Sequence, residues 1–380
     1  MYQVGLSFDL NENWIGGSYY IRSLVSAFAL LPADEQPMLT LISRNKDSVS
    51  FIQEVGYTKL QWVHPDQFHA QPDAFPFDAI FPWADPNQAY RTVSWIPDFQ
   101  ELHLPFYFTD AEIAARRHHH RLRFATSGLV VSSDSVSKDV ARFYPGECPN
   151  VAVVRFASFD GFDDSKIDQV RTAYGLTGPY VMCANQVWVH KNHILVIKAL
   201  SLLKTKGVDV TVCFTGNESD YRVTGYAKFL KQMAEEWGVS DNLKFLGFIP
   251  RSDQLSLMKG ARYVIQPSLF EGWSTVIEDA KAMQQFVVAS DLPVHQEQLD
   301  ANCRFFPRHN PEALAAIMLE FARTSPEITR DNDYADRRRQ FGRDMLAAFQ
   351  RFSNGPRMQG AQRLSASDVA ALSDENFASA

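Results

Sequence analysis

The stretch from Pro267 to Asp279, PSLFEGWSTVIED, gathers most of the chemistry that this chain can offer. Glu271, Gly272, Ser274, Thr275 and Asp279 stand between an apolar run, residues 263–265, and an amphipathic segment, residues 276–283. The first reads as a buried strand and the second as a helix. A loop that joins a strand to a helix start is where an open α/β sheet binds ligands. The free N–H groups of such a helix start, here those of Ser274, Thr275 and Val276, suit a phosphate. Carboxylates suit sugar hydroxyls, whose hydrogen bonds they accept. The two chemistries in one loop point to a nucleotide sugar.

Each acid also has a structural alternative. Thr275 and Glu278 are spaced as a capping box, and Glu278 is read as closing the helix start. Glu271 has no capping role beside Gly272 and is read as functional. Asp279, one position past the box, can offer two acceptors to a vicinal diol.

Other candidates are scattered along the chain. Lys191, in NQVWVHKNH, follows one apolar run and precedes a helical pattern, so it can offset a diphosphate or be a solvated helix-start lysine. His190 and His193 are three apart, a spacing that could present two metal ligands, but they read better as loop or capping residues. Gly16 and Gly17 open a helix, where a backbone can approach a ligand or simply turn, and Ser18 is a reasonable N-cap. Asp98 ends a strand, where it could face a ligand or cap the next helix. His103, among leucines, reads as packed. The basic run from Arg116 to Arg123 holds three consecutive histidines that point in different directions on a helix, so it makes a poor metal site. It reads as a solvated basic face, or as a contact for an anionic membrane surface or a phosphorylated acceptor.

These residues need a scaffold. Residues 4–8, 38–42, 79–81, 92–96, 129–132 and 151–156 read as strands, with a helix face at Ile21, Leu24, Val25 and Phe28. The pattern restarts with strands at 180–183, 210–214, 243–246, 263–265 and 286–289, separated by helices at 193–204, 226–237 and 252–259. Strands alternating with helices imply parallel sheets. Two such sets, with a polar stretch at 160–169 between them, predict an α/β protein of two Rossmann-like doubly wound domains facing across a cleft. The expected boundaries are 1–158, 159–333, a helix within 334–352, and a polar tail at 353–380.

Composition narrows the class. The 380 residues carry a net charge of −7, which argues against general nucleic-acid binding. Cys148, Cys183, Cys213 and Cys303 form no C-x-x-C pair, so neither a disulfide framework nor a zinc site is expected, and a reducing cytosol fits. Residues 1–10 lack the basic and apolar order of a signal peptide. No window approaches the ~18 apolar residues of a membrane span.

The run Pro267-Ser268-Leu269-Phe270-Glu271-Gly272-Trp273, followed by an acid and Ala280-Lys281-Ala282, resembles the signature of the family 4 glycosyltransferases, which adopt the GT-B fold. That signature sets two glutamates with seven residues between them; here the second is Asp279, one methylene shorter. Lys191 is similar to the lysine that the family uses on the donor diphosphate. The arginine usual five positions earlier is Gln186, preceded by Asn185 where glycine is common. Gly16 and Gly17 resemble the first glycine-rich loop. Asp98 resembles the second member of a His-Asp pair whose histidine is here Pro97. Residues 243–250, with Gly247 and Phe248, resemble the segment that borders the nucleotide base.

The resemblance implies retaining transfer of a sugar from a nucleotide donor to an acceptor hydroxyl, without a bound metal or other cofactor. Lys191, Glu271 and Asp98 are the expected catalytic residues. The remaining residues of the two loops, Asn185, Gln186, Gly272 to Val276 and Asp279, together with Gly16, Gly17, Gly247 and Phe248, are expected to bind the donor. The acceptor would be a carbohydrate or lipid-linked sugar in polysaccharide or lipopolysaccharide assembly. The enzyme would be cytoplasmic, with peripheral contact at the inner membrane face through Arg116–Arg123. The C-terminal helix would cross back onto the first domain. The rival readings are a nucleotide-sugar epimerase or glycosyl phosphorylase on the same fold, and a non-catalytic binding subunit.

Overall fold

The computed structural model describes residues 1–11, 15–82, 90–158, 161, 163–329 and 334–354. They divide into two compact units. The first runs from Met1 to Ser158 and takes back the helix Tyr334–Asn354; the second lies between them.

In the first unit the strands are β1 (Gln3–Ser7), β2 (Met38–Ile42), β3 (Leu60–Val63), β4 (Ala79–Phe81), β5 (Val93–Trp95), β6 (Gly128–Val131) and β7 (Val151–Val153). They form parallel sheets in the orders β3-β2-β1-β4 and β5-β6-β7. A parallel bridge between Ile80 and Thr92 continues one into the other. The central strands are mostly apolar because helices cover both faces. Leu39 and Leu41 are fully buried in β2, as are Val4 and Leu6 in β1.

The helix Tyr334–Asn354 belongs to this unit by its contacts. Phe341 and Phe349 are sealed from solvent and face Tyr20 and Phe81, at 5.9 and 5.4 Å between ring centroids. Tyr20 in turn stacks on Trp95 at 3.8 Å. At its start, the Tyr334 hydroxyl bonds the backbone of Ser158. This helix runs through Ser353 and Asn354, which the sequence reading assigned to the tail; residues 355–380 lie outside the described residues.

The second unit holds one six-stranded parallel sheet. Its strands are β8 (Tyr180–Cys183), β9 (Thr211–Phe214), β10 (Leu243–Phe245), β11 (Val264–Gln266), β12 (Val287–Ser290) and β13 (Cys303–Phe306), in the order β10-β9-β8-β11-β12-β13. Alternate residues feed two cores. Val181 and Cys183 pack under the helices His193–Lys204 and Pro311–Arg323, while Tyr180 and Met182 pack under Arg251–Gly260 and Thr275–Ala282. The sheet is thus doubly wound. Part of the expected polar linker at 160–169 is helical, because the helix Ile167–Ala173 already covers this sheet with Val170.

The strand order sets the ligand position. From β8 the chain winds outward to β9 and β10, then returns to lay β11, β12 and β13 on the other side. The order therefore reverses between β8 and β11. Loops at the carboxyl ends of those two strands must part there, which leaves a crevice where doubly wound sheets bind ligands. Lys191 follows β8, and Glu271 follows β11.

Candidate functional site

After β8 the chain passes Asn185 and Gln186, makes a short turn at Val189–Lys191, and enters the helix His193–Lys204 through Asn192. Asn192 has φ 59°, a left-handed conformation that asparagine tolerates better than most residues. Its side-chain amide donates to the carbonyls of Pro267 and Arg308, both at 3.1 Å. The Leu269 N–H donates to the His190 carbonyl at 2.8 Å. The loops on the two sides of the crevice are stitched together.

That stitching brings Lys191 and Glu271 into contact, 80 positions apart in sequence. Lys191 Nζ donates to Glu271 Oε1 at 2.7 Å, and the two side chains are only 16% and 9% exposed. The same Oε1 accepts from Gln266 Nε2 at 2.8 Å and from the Ser268 hydroxyl at 2.7 Å. Burial alone would raise the Glu271 pKa. The charge of Lys191 and the bonds from Lys191 and Ser268 outweigh it, so the carboxyl lies below its ordinary value and is ionised near neutrality. Oε2 makes no hydrogen bond among the described residues and is the oxygen left for a ligand hydroxyl.

The helix Thr275–Ala282 begins one residue earlier than the capping-box reading requires. Ser274 is the N-cap, and its hydroxyl accepts the Ile277 N–H at 3.3 Å. With the cap moved, Glu278 no longer occupies the third helical position. Its carboxylate instead accepts from Gln298 at 2.8 Å and Lys281 at 3.1 Å. The Ser274 N–H is also engaged, donating to Gln298 Oε1 at 3.1 Å. Of the three N–H groups expected to face a phosphate, Ser274 drops out. Those of Thr275 and Val276, at the first two helical positions, make no hydrogen bond among the described residues. Gly272 and Trp273 lie in the same loop between Glu271 and the cap.

Three donor-site candidates and one cap candidate make contacts that the sequence reading did not give them. Asp279 has no exposure, and its Oδ1 lies 2.5 Å from Arg251 Nη2. That buried pair with Arg251 is a structural role that the sequence reading did not give Asp279. Asn185 is buried, and its side-chain amide donates to Gln266 Oε1 at 3.0 Å. Gln186 Oε1 accepts the Asn217 N–H and so braces the loop after β9; it does not replace an arginine in a diphosphate clamp. Ser18 lies within the helix Ile15–Ala29 and its hydroxyl accepts the Asn11 N–H, so it is not that helix's N-cap.

The remaining candidates divide by unit. Gly247 has φ 67° and its carbonyl accepts the Gly216 N–H, while Phe248 beside it is 61% exposed. Gly16 and Gly17 sit in the first turn of their helix, and a Cβ on Gly16 would meet nothing within 4 Å. Asp98 lies three residues past the end of β5 and accepts the Gln100 N–H at 3.0 Å, while the N-cap of the helix Gln100–His103 is Phe99. His103 is not packed among leucines but lies 2.8 Å from Asp139. In the basic run His120 is buried against Tyr144, at 2.9 Å, while Arg117, His118 and Arg121 are exposed. Among the described residues no group of three or more His, Cys, Asp or Glu is placed to hold a metal ion. No helix there is long and apolar enough to cross a membrane.

Sequence reasoning missed the residues that support Lys191. Asp220 Oδ2 accepts the Val189 N–H at 2.8 Å, and Asp220 pairs with Arg222 at 3.0 Å with both side chains sealed. The Arg222 guanidinium lies 5.0 Å from the Trp188 ring. The sequence signal available was a polar Asp-x-Arg after β9.

Comparison with known proteins shows what this chain is similar to. Residues 166–340 match the family model for glycosyl transferases group 1. That segment is similar to the group 1 glycosyl transferases and spans a little under half of the chain. The glycosyltransferase match holds the β8 and β11 loops and every residue of the Lys191–Glu271 cluster. Over 236 residues the chain is 22% identical to the O-antigen chain mannosyltransferase RfbU of Salmonella typhimurium, covering 61% of this chain and 62% of that one. The match thus spans about three fifths of that relative's length.

Solved glycosyltransferases share the fold over nearly the whole chain. HepE of Anabaena, solved with UDP and glucose, is 16% identical, with TM-score 0.61 over 93% of this chain and 96% of its own. WaaG, a glycosyltransferase involved in lipopolysaccharide biosynthesis, is 13% identical, with TM-score 0.58 over 94% and 100%. Sucrose-phosphate synthase from Thermosynechococcus elongatus is 13% identical, with TM-score 0.61 over 93% and 95%. The fold is therefore GT-B, and these matches support a glycosyltransferase.

Proposed function

We propose that the chain transfers a sugar from a nucleotide-sugar donor to an acceptor hydroxyl, with retention of configuration, in the assembly of a surface polysaccharide or lipopolysaccharide. The observation that carries this reading is the Lys191–Glu271 cluster at the strand-order reversal of the second unit, beside the open N–H groups of Thr275 and Val276. Lys191 and those N–H groups take the diphosphate and stabilise charge as the sugar leaves. Glu271 Oε2 accepts from the donor sugar's hydroxyls. The reading requires no metal for the diphosphate, since an ammonium and a helix start supply the positive potential.

Glu271 has three donors on one oxygen, so it serves as a hydroxyl acceptor rather than a nucleophile. The acceptor then attacks on the face that the nucleotide leaves, and a phosphate oxygen takes its proton. Phe248, exposed beside Gly247, offers a face to the base. Support for the donor class comes from HepE, solved with UDP, and support for the pathway comes from RfbU and WaaG. The exposed basic side chains of the helix Asp110–Phe124, with Phe106 exposed before it, suit peripheral contact with an anionic membrane, where a lipid-linked acceptor would be presented.

A panel of nucleotide sugars screened by thermal shift, followed by transfer assays with the best binder, tests the reading. Lys191→Ala should lower turnover by roughly 10²–10³-fold while the fold is kept. Near-native turnover in that variant defeats the assignment, and donor consumption without any acceptor points to epimerisation instead.

A further inference from the structure

Lys191 cannot serve two partners equally. Its ammonium rests on Glu271 Oε1, yet under the proposed function it must also meet the donor's diphosphate. A Glu271 carboxylate 9% exposed and stripped of its cation would take up a proton unless other donors held its charge. The structure supplies them from the end of β11. Gln266, with no exposure, donates from Nε2 to Glu271 Oε1 at 2.8 Å, and Ser268 donates at 2.7 Å. Gln266 cannot rotate its amide, because its own Oε1 accepts from the buried Asn185 Nδ2 at 3.0 Å. Asn185 is fixed in turn against Cys183 Sγ, at 3.6 Å. A line of two buried amides therefore runs from β8 to β11 and ends on the carboxylate.

We propose that Gln266, oriented by Asn185, is a positioning residue that keeps Glu271 ionised and aimed when Lys191 turns to a diphosphate. The inference rests on the donor-site reading above. It adds that the ion pair is a resting arrangement, and that the amide line makes its opening tolerable. The second oxygen of Glu271 then stays a full carboxylate acceptor for a sugar hydroxyl. A protonated carboxyl in its place would be a weaker acceptor.

The test is a titration of the Glu271 side-chain carboxyl by 13C NMR, with the signal assigned by its loss in Glu271→Gln. Inorganic pyrophosphate is the probe that draws off Lys191. In the wild type the carboxyl should titrate below the ordinary range, with or without pyrophosphate. In Gln266→Met the midpoint should rise by about one pH unit, since a hydrogen bond to an ionised group is worth about that much in protonation equilibrium. The rise should be larger with pyrophosphate bound. Asn185→Leu/Gln266→Met removes both amides together, leaves no stranded polar partner, and should show the same shift if the single variant folds poorly. An unchanged midpoint in folded Gln266→Met or in the double variant overturns the proposal. Pyrophosphate affinity unaffected by Lys191→Ala would sink the donor-site reading instead, so the two failures are distinct.

Discussion

Removing one member of the Arg251–Asp279 pair leaves the other charge in a site built for two. Asp279 has no exposure and Arg251 little, so water cannot replace the lost partner. Breaking a buried pair in this way costs about 3–5 kcal/mol. Asp279→Ala should therefore lower the melting temperature of the second unit, and Arg251→Leu/Asp279→Ala should recover most of the loss. A stable Asp279→Ala that fails to bind nucleotide would return the residue to the ligand. The sequence made Lys191 and Glu271 legible, because each stands between a strand run and a helix run, where a doubly wound sheet must place its ligand loops. It could not show that Asp279 faces inward. The helix begins at Ser274, and a cap moved by one residue turns the whole first turn by about 100°. Gln266 and Ser268 were hidden for another reason. A polar residue ending an apolar strand looks like the start of a loop until tertiary contacts show what it holds.

At the scale of elements, the interior strands were readable, while two edge strands, β3 and β13, were not. β1, β2, β8 and β12 are largely buried and mostly apolar. β3 and β13 are edge strands, and they carry Gln61, Trp62 and Arg304 exposed on their open sides. Such strands lack the periodicity that marks a strand in sequence. The seating of the C-terminal helix on the first unit uses a contact that sequence alone does not show, Phe352 against the bare backbone of Gly128. A Cβ there would lie 2.3 Å from the Phe352 ring, which sits flat over the start of β6. Gly128→Ala should expel Phe352, loosen the last turns of the helix Tyr334–Asn354, and cost about 1–3 kcal/mol, the usual range for overpacking. Limited proteolysis within 334–354 and the melting temperature report both effects. Gly128→Ala/Phe352→Ala should be no less stable than Phe352→Ala alone, because the clash is gone; an equal penalty in both backgrounds would place the strain elsewhere.

Across the whole molecule, the two units carry opposite balances of buried titratable groups, and acid should separate them. The second unit seals three histidines. Burial holds His190 well below its ordinary value, His193 near about 3 and His295 near about 4, and the Lys191 charge adds to the effect in each. A histidine depressed in the native state stabilises fully above its unfolded pKa of about 6.5 and loses that contribution as pH falls toward its native value. Three such groups give a slope of up to about 4 kcal/mol per pH unit. Glu271, depressed as well, adds its loss only below the ordinary carboxylate range. The first unit contains one comparable histidine, His120, lowered by burial and then by Arg123 and its other cationic neighbours. It lies 3.8 Å from Glu101, whose carboxyl is raised to about 7 by burial and then by Asp98, against the pull of Arg116 and Arg117. A raised carboxyl works in the other direction: its stabilisation is complete below about 4.5 and is lost as pH rises through 7. Between about 4.5 and 6.5 the two groups of the first unit nearly cancel, one binding a proton on unfolding and the other releasing one. Calorimetric scans from pH 7 to pH 5 should therefore resolve a transition that moves steeply down and one that barely moves. Hydrogen exchange of β8 and β11 should follow the first, and that of β1 and β2 the second. Parallel movement of both transitions would mean that the histidines of the second unit are not held neutral by burial, and the electrostatic account of the Lys191–Glu271 cluster would have to be rebuilt with a charged neighbour in it.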